Sequence, residues 1–174
     1  MEEMAANDRV IGGLNPLSTD RAKQLYSSFC NGEMLLTNAT TAEMAKLTEN
    51  SFRDVNIAFA NELSIISDKL GIDVWELIEL ANHHPRVNIL NPGPGVGGHC
   101  IAVDPWFIVS SAQEEAKLIR TAREVNDGKP AYVIAKITEA VEAEGADSIA
   151  ALGIAFKPDI DDLRESPALS IVQQ

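Results

Sequence analysis

A chain of 174 residues that is 45% hydrophobic can bury a sizeable core and amounts to about one domain. Its formal net charge of −12, from 26 acids against 14 Lys and Arg, argues against nucleic acid or an anionic membrane as a partner. No run is apolar enough for a transmembrane helix, and the acidic opening lacks the apolar segment of a signal peptide, so a cytoplasmic location is expected. Cys30 and Cys100 cannot furnish a thiolate-rich zinc site and the three histidines lack ligand spacing, so no metal is expected. In a reducing compartment the two thiols are expected to have separate fates.

Residues 1–15, through Gly12-Gly13-Leu14-Asn15, read as an irregular lead-in. A helix is predicted over 18–29 with Ser18 or Thr19 as its cap, then a short extended piece over 34–37. Thr40 and Glu43 form a capping box. Beyond it no Pro or Gly interrupts the chain as far as Leu70, and Val55, Phe59, Leu63, Ile66 and Leu70 recur at three- and four-residue steps. The pattern predicts a helix over 40–70, about 45 Å long, which could support dimerisation or simply span the fold. Gly71 ends it, and Asp73 with Glu76 opens a helix through about Ala81.

From His83 to Pro105 the prolines and glycines predict loop. Helical patterning returns over 114–127, with Leu118, Ile119, Ala122 and Val125 on one side. Gly128 then interrupts, and Pro130 suits the first turn of another helix to about Glu144. Residues 148–154 read as a buried strand, the only convincing one, and 155–174 supply it no partner. That places the end of the chain just inside a second domain.

Four segments carry candidate chemistry. Gly93, Gly95 and Gly98 match the spacing G-x-G-x-x-G, but Pro94 lies inside the turn and Pro105 follows, with neither preceding strand nor following long helix, so a dinucleotide cradle is rejected. Those glycines deliver Cys100 instead, between His99 and Asp104, in a setting that suits a reactive thiol better than a core-filler. Cys30, at an apolar helix end, reads as structural. Lys46, Asn50 and Arg53 stand at i, i+4 and i+7 on one helix face, either a solvated stripe or, with no acid in the same row, a site for an anionic ligand. Arg86, within Asn82-His83-His84-Pro85-Arg86, could bind phosphate or sugar, or cap the helix before it. Lys157 and Arg164 follow the expected strand, where ligands of parallel sheets bind, although ion pairs with Asp161, Asp162 or Glu165 would equally occupy them.

Together these segments resemble the UDP-glucose/GDP-mannose dehydrogenase family. The matching pieces are Ala42-Glu43-Met44-Ala45-Lys46-Leu47-Thr48-Glu49-Asn50, Gly95-Val96-Gly97-Gly98-His99-Cys100 with Asp104, Gly153-Ile154-Ala155-Phe156-Lys157-Pro158, and Asp162-Leu163-Arg164-Glu165-Ser166. The stretch from Asn88 to Pro105 looks like the branch acting on UDP-N-acetyl-D-mannosamine; the glucose branch usually has lysine where this chain has Val103.

The resemblance implies a mainly α fold. Residues 16–145 would form a helical central dimerisation domain, like the C-terminal domain of 6-phosphogluconate dehydrogenase, with the lead-in 1–15 arriving from an NAD-binding Rossmann domain. Residues 146–174 would begin, with their first strand, a truncated α/β domain for the nucleotide sugar. It implies an enzyme that oxidises a UDP-sugar at C6 in two hydride transfers to NAD, and a homodimer through helix 40–70. Cys100 would be the nucleophile, Lys46 the oxyanion stabiliser, Asn50 its helper and Asp104 an assisting base. Arg53, His84, Arg86 and the backbone near Gly98 would grip the sugar, with Arg86 reaching the partner subunit's site. Lys157 would contact the nucleotide sugar and Arg164 the NAD. Alone, this chain is expected to be inactive, a dimerisation module at most.

Overall fold

The fold is seen in a computed structural model that describes residues 2–174. The chain is mainly helical and divides into two compact units, Met1–Glu49 and Asn50–Gln174.

In the first unit α1 (Glu2–Ala6) is followed by β1 (Arg9–Gly13), α2 (Pro16–Tyr26) and β2 (Met34–Asn38). The strands run parallel, with Arg9 opposite Met34 and Gly13 opposite Asn38. The expected irregular lead-in therefore holds a helix, Glu2–Ala6, and a strand, Arg9–Gly13. The pair Gly12-Gly13 serves close approach: a Cβ on Gly12 would lie 2.2 Å from the Asn38 carbonyl oxygen. α2 opens at Asn15, not at Ser18 or Thr19. The Asn15 side chain accepts the Ser18 N–H at 3.0 Å, and Ser18 Oγ accepts the Asn15 N–H at 3.1 Å, a reciprocal cap. Cys30 is buried beyond α2 and its thiol donates to the Asn7 carbonyl at 3.3 Å, which supports its structural reading.

α3 (Ala39–Leu70) is a single helix of 32 residues, as the sequence predicts. Its first turn is capped from outside, by the Asn38 side chain accepting the Thr41 N–H at 2.9 Å, instead of by Thr40 and Glu43. Gly71, at φ +67°, ends it, and Asp73 caps α4 (Val74–Asn82) by accepting the Trp75 N–H at 2.8 Å. After an irregular loop come α5 (Asp104–Ser111), α6 (Lys117–Glu144) and α7 (Pro167–Gln173). α6 is continuous for 28 residues and carries Pro130 in its interior, so the expected break at Gly128 does not occur. An interior proline costs ~3 kcal/mol; here Arg123, Asn126 and Lys129, buried on the turns just before it, hold the helix together.

One further expectation is corrected. Residues 148–154 form no strand, and Leu152 is 96% exposed. An extended segment without a hydrogen-bonded neighbour has nowhere to place its backbone donors and acceptors. The parallel sheet lies in the first unit instead. The apolar row of α3 also faces outward: Phe59 is 52% exposed and Leu70 64%, and the buried residues are Ser51, Asp54, Ala58, Ala60, Asn61 and Ser67. α6 follows suit, with Leu118 exposed and Arg123, Asn126 and Lys129 buried beside Ala122. Periodicity identified both helices, and the face that they share is hydrogen-bonded.

Candidate active site

The site is built on the loop between α4 and α5. Among the described residues no strand precedes Gly93 within this unit, and α5 is short, so the glycines do not form a dinucleotide cradle. They let the loop pass tightly under residues 154–167. A Cβ on Gly97 would fall 2.5 Å from the Glu165 carbonyl, and one on Gly98, at φ +85°, 3.0 Å from the Phe156 ring. The Gly98 N–H donates to the Arg164 carbonyl at 3.1 Å. That N–H is engaged within the protein, and the absent side chain of Gly98 permits the close packing on Phe156.

The loop ends at Cys100, a free and exposed thiol. The Cys100 carbonyl accepts the N–H of Val103 at 3.0 Å and of Asp104 at 2.8 Å, a tight turn that sets Asp104 in the first turn of α5. There Asp104 Oδ2 accepts a hydrogen bond of 2.5 Å from Asn50 Nδ2, across 54 residues of sequence. This contact gives Asn50, a poor helix former, its reason to stand on α3. Thiol, carboxylate and carboxamide are thus tied into one constellation.

The cations are arranged differently from expectation. Lys46 pairs with Glu49 at 3.0 Å, an acid that the sequence places on another row; both are well exposed. An exposed pair of this kind is worth about 0–1 kcal/mol and holds the lysine weakly. Arg53 and Arg86 are exposed and, among the described residues, form no ion pair, while His84 Nδ1 accepts the Arg86 backbone N–H at 3.3 Å. Arg86 therefore leaves its guanidinium free. Lys157 extends into solvent above the Phe156 ring, 6.0 Å from its centroid.

Arg164 adopts the ion pair that the sequence offers as the alternative. Its Nη2 lies 2.6 Å from Asp162 Oδ2, and Nε bonds both carboxylate oxygens. Hydrogen bonds from Arg164 hold the Asp162 carboxyl at about 2, with a smaller contribution from His99. Hydrogen bonding to Asp162 and its charge raise the Arg164 guanidinium above its usual value.

Below the loop lies a buried polar network that the sequence reading missed. Asp54 Oδ1 accepts from Arg123 Nη1 at 2.6 Å and from Asn126 Nδ2 at 2.8 Å, and Arg123 Nη2 also pairs with Asp127. Asn61 joins Asn126 at 2.9 Å. Asp54 Oδ2 and Arg123 Nε, both buried, find no protein partner. The available signal was polar residues at helical spacing, Asp54 and Asn61 on α3 with Arg123 and Asn126 on α6, which periodicity arguments assign to solvent. A cavity of about 360 Å³ opens between this network and α7, lined by Trp106, Arg123, Asn126 and Pro167 among others; Cys100 is not part of its wall.

A fold of this kind, with the thiol loop pinned between a long helix and a trailing segment, has close counterparts. The family model of the UDP-glucose/GDP-mannose dehydrogenase family, central domain, matches residues 40–128. The chain belongs to this family. It is 65% identical over 172 residues to the UDP-N-acetyl-D-mannosamine dehydrogenase of Campylobacter jejuni, covering 99% of this chain and 42% of that one. It is 62% identical over 173 residues to an NDP-N-acetyl-D-galactosaminuronic acid dehydrogenase of Ralstonia nicotianae, covering 99% and 41%. Among solved structures, the UDP-N-acetyl-mannosamine dehydrogenase of S. aureus superposes with a TM-score of 0.89 at 50% identity, covering 99% of this chain and 41% of that one. The chain therefore spans about two fifths of the length of the relatives it matches.

Proposed function

We propose that this chain is the central part of an NAD-dependent nucleotide-sugar 6-dehydrogenase that oxidises UDP-N-acetyl-D-mannosamine to its uronate. One observation carries the reading: an exposed cysteine thiol whose backbone turn fixes an aspartate hydrogen-bonded to Asn50. The names of the relatives favour an N-acetylated hexosamine, and Val103, where the glucose branch has lysine, supports that choice. Residues 1–15 would belong to the NAD-binding side of the enzyme, 16–145 to its central domain, and 146–174 to the start of the nucleotide-sugar domain.

The chemistry divides into two oxidations. The C6 alcohol loses a proton and a hydride to give an aldehyde. The Cys100 thiolate adds to the aldehyde carbon, and the oxygen takes up a proton as the thiohemiacetal forms, with Lys46 stabilising the developing oxyanion. Loss of a second hydride and proton leaves a thioester. Water, held by Asp104 and Asn50, adds to the thioester carbonyl and expels the thiol, giving the carboxylate. NAD, when bound, supplies the hydride acceptor for both oxidations. Of the residues present, Arg164 fits a contact to that anion: its guanidinium is oriented by Asp162 and exposed. Arg53, His84, Arg86 and Lys157 would grip the nucleotide sugar.

The exposed apolar row of α3, with Phe52, Phe59 and Ile66 at seven-residue steps, supports a homodimer in which the row of one protomer meets that of its partner. No helix among the described residues is long and apolar enough to cross a membrane, and the cytoplasm, which holds NAD and nucleotide sugars, is the proposed location.

The test is NADH formation by the full-length protein with UDP-N-acetyl-D-mannosamine, its galacto epimer and UDP-glucose in parallel. About two NADH per sugar with the first substrate supports the reading. Preference for either other sugar keeps the chemistry and replaces the substrate. No NADH with any of them favours a non-catalytic dimerisation module.

A further inference from the structure

We propose that Asn61 is a positioning residue of the cysteine loop, acting on Cys100 through Gly93; the inference rests on Cys100 being the nucleophile. Asn61 lies fully buried on α3. Its Oδ1 accepts the Gly93 N–H at 2.8 Å, while its Nδ2 donates to Asn126 Oδ1 at 2.9 Å. Asn126 uses its own amino group on Asp54, at 2.8 Å to Oδ1 and 3.1 Å to the carbonyl. The direction of every bond is therefore fixed. A flipped Asn61 would face the Gly93 donor with another donor and the Asn126 oxygen with another oxygen.

Among the described residues, Gly93 donates the only protein hydrogen bond made by a backbone N–H of residues 90–97. The loop has little internal structure before Gly98, whose N–H is held by the Arg164 carbonyl. Asn61 is thus the anchor of the middle of the arc, between Asn82, which holds both backbone groups of Ile89, and the Gly98 bond next to the thiol, with Asn50 on Asp104 downstream. A leucine of similar size would suit the interior of a helix pair without the cost of desolvating an amide. The amide on α3 is explained by what it holds, the middle of the loop.

In the full-length enzyme, Asn61→Leu leaves the Gly93 N–H and the Asn126 oxygen unpaired. A thiol displaced by ~1 Å loses about a hundredfold in rate, so acid formation falls by about that factor while the sugar KM changes little. The first hydride transfer needs no thiol. The aldehyde then escapes capture, and the NADH yield per sugar drops from about two toward one. A residue that merely stabilises the fold would lower both oxidations together and leave the yield at about two; that result overturns the proposal.

Amide exchange in the wild-type enzyme gives a second measurement that does not depend on the variant folding. Gly93 N–H is expected to be protected although it lies in a loop. Exchange at the rate of a free loop amide overturns the proposal. Acid formation by Cys100→Ser, measured in the same assay, would instead overturn the nucleophile on which the inference rests.

Discussion

The pair Asp54–Arg123 offers a sharp test of the polar interface between α3 and α6. Asp54 is 0% exposed and Arg123 1%, and the carboxylate holds both Arg123 Nη1 and Asn126 Nδ2. Replacing Asp54 with leucine removes two hydrogen bonds to a charged group, each worth about 1.5–3 kcal/mol, and strands a buried guanidinium. A broken buried pair costs about 3–5 kcal/mol. The lower half of that range is expected, because the partly exposed Asp127 still pairs with Arg123. The double replacement Asp54→Leu with Arg123→Leu should recover most of the loss, since neither charge is then left buried alone.

The readout is urea unfolding of wild type, both single variants and the double variant. Single-variant losses below about 1 kcal/mol, or additive losses in the double variant, would refute the reasoning. The pH dependence gives an internal check. Burial raises the Asp54 carboxyl above 3.8 despite the opposing pull of Arg123. The folded chain then holds more protons than the unfolded chain between 3.8 and the raised value, so this group's contribution to stability falls as pH climbs through that window. The Asp54→Leu variant should lose that acid-side trend.

Other outcomes follow from the same geometry. Iodoacetamide should modify Cys100 in the native protein and spare Cys30, as mapped by peptide mass spectrometry; equal labelling would contradict the burial of Cys30. Burial holds the Lys129 ammonium below its usual 10.5. The unfolded chain then binds more protons between that lowered value and 10.5, so stability rises with pH through this window, and Lys129→Met should flatten the rise in a denaturation series. Gly97→Ala would place a Cβ 2.5 Å from the Glu165 carbonyl, and it should lower the melting temperature by several degrees and cut turnover; a wild-type melting curve would show that the segment does not clamp the loop. Phe59→Glu on the exposed row of α3 should convert the proposed dimer to monomer in sedimentation, with an unchanged sedimentation coefficient counting against that interface.

Much of this protein was legible in its sequence. The uninterrupted run from Thr40 to Leu70 specified α3, because a long stretch of good helix formers without Pro or Gly has one low-energy backbone. The glycine-proline loop marked Cys100 as presented rather than buried, whereas the bond from Asn50 to Asp104 came only with the fold. Tertiary structure decided what local pattern cannot encode. Gly12-Gly13 became strand because β2 lies beside it, and 148–154 did not because nothing pairs with it. Pro130 stayed inside a helix whose neighbouring turns are held by buried side chains. Most of all, Asp54, Asn61, Arg123 and Asn126 turned inward, since each finds its hydrogen-bonding partner on a segment distant in sequence. A polar group can be buried only where its complement is also buried, and only the folded chain brings the two together.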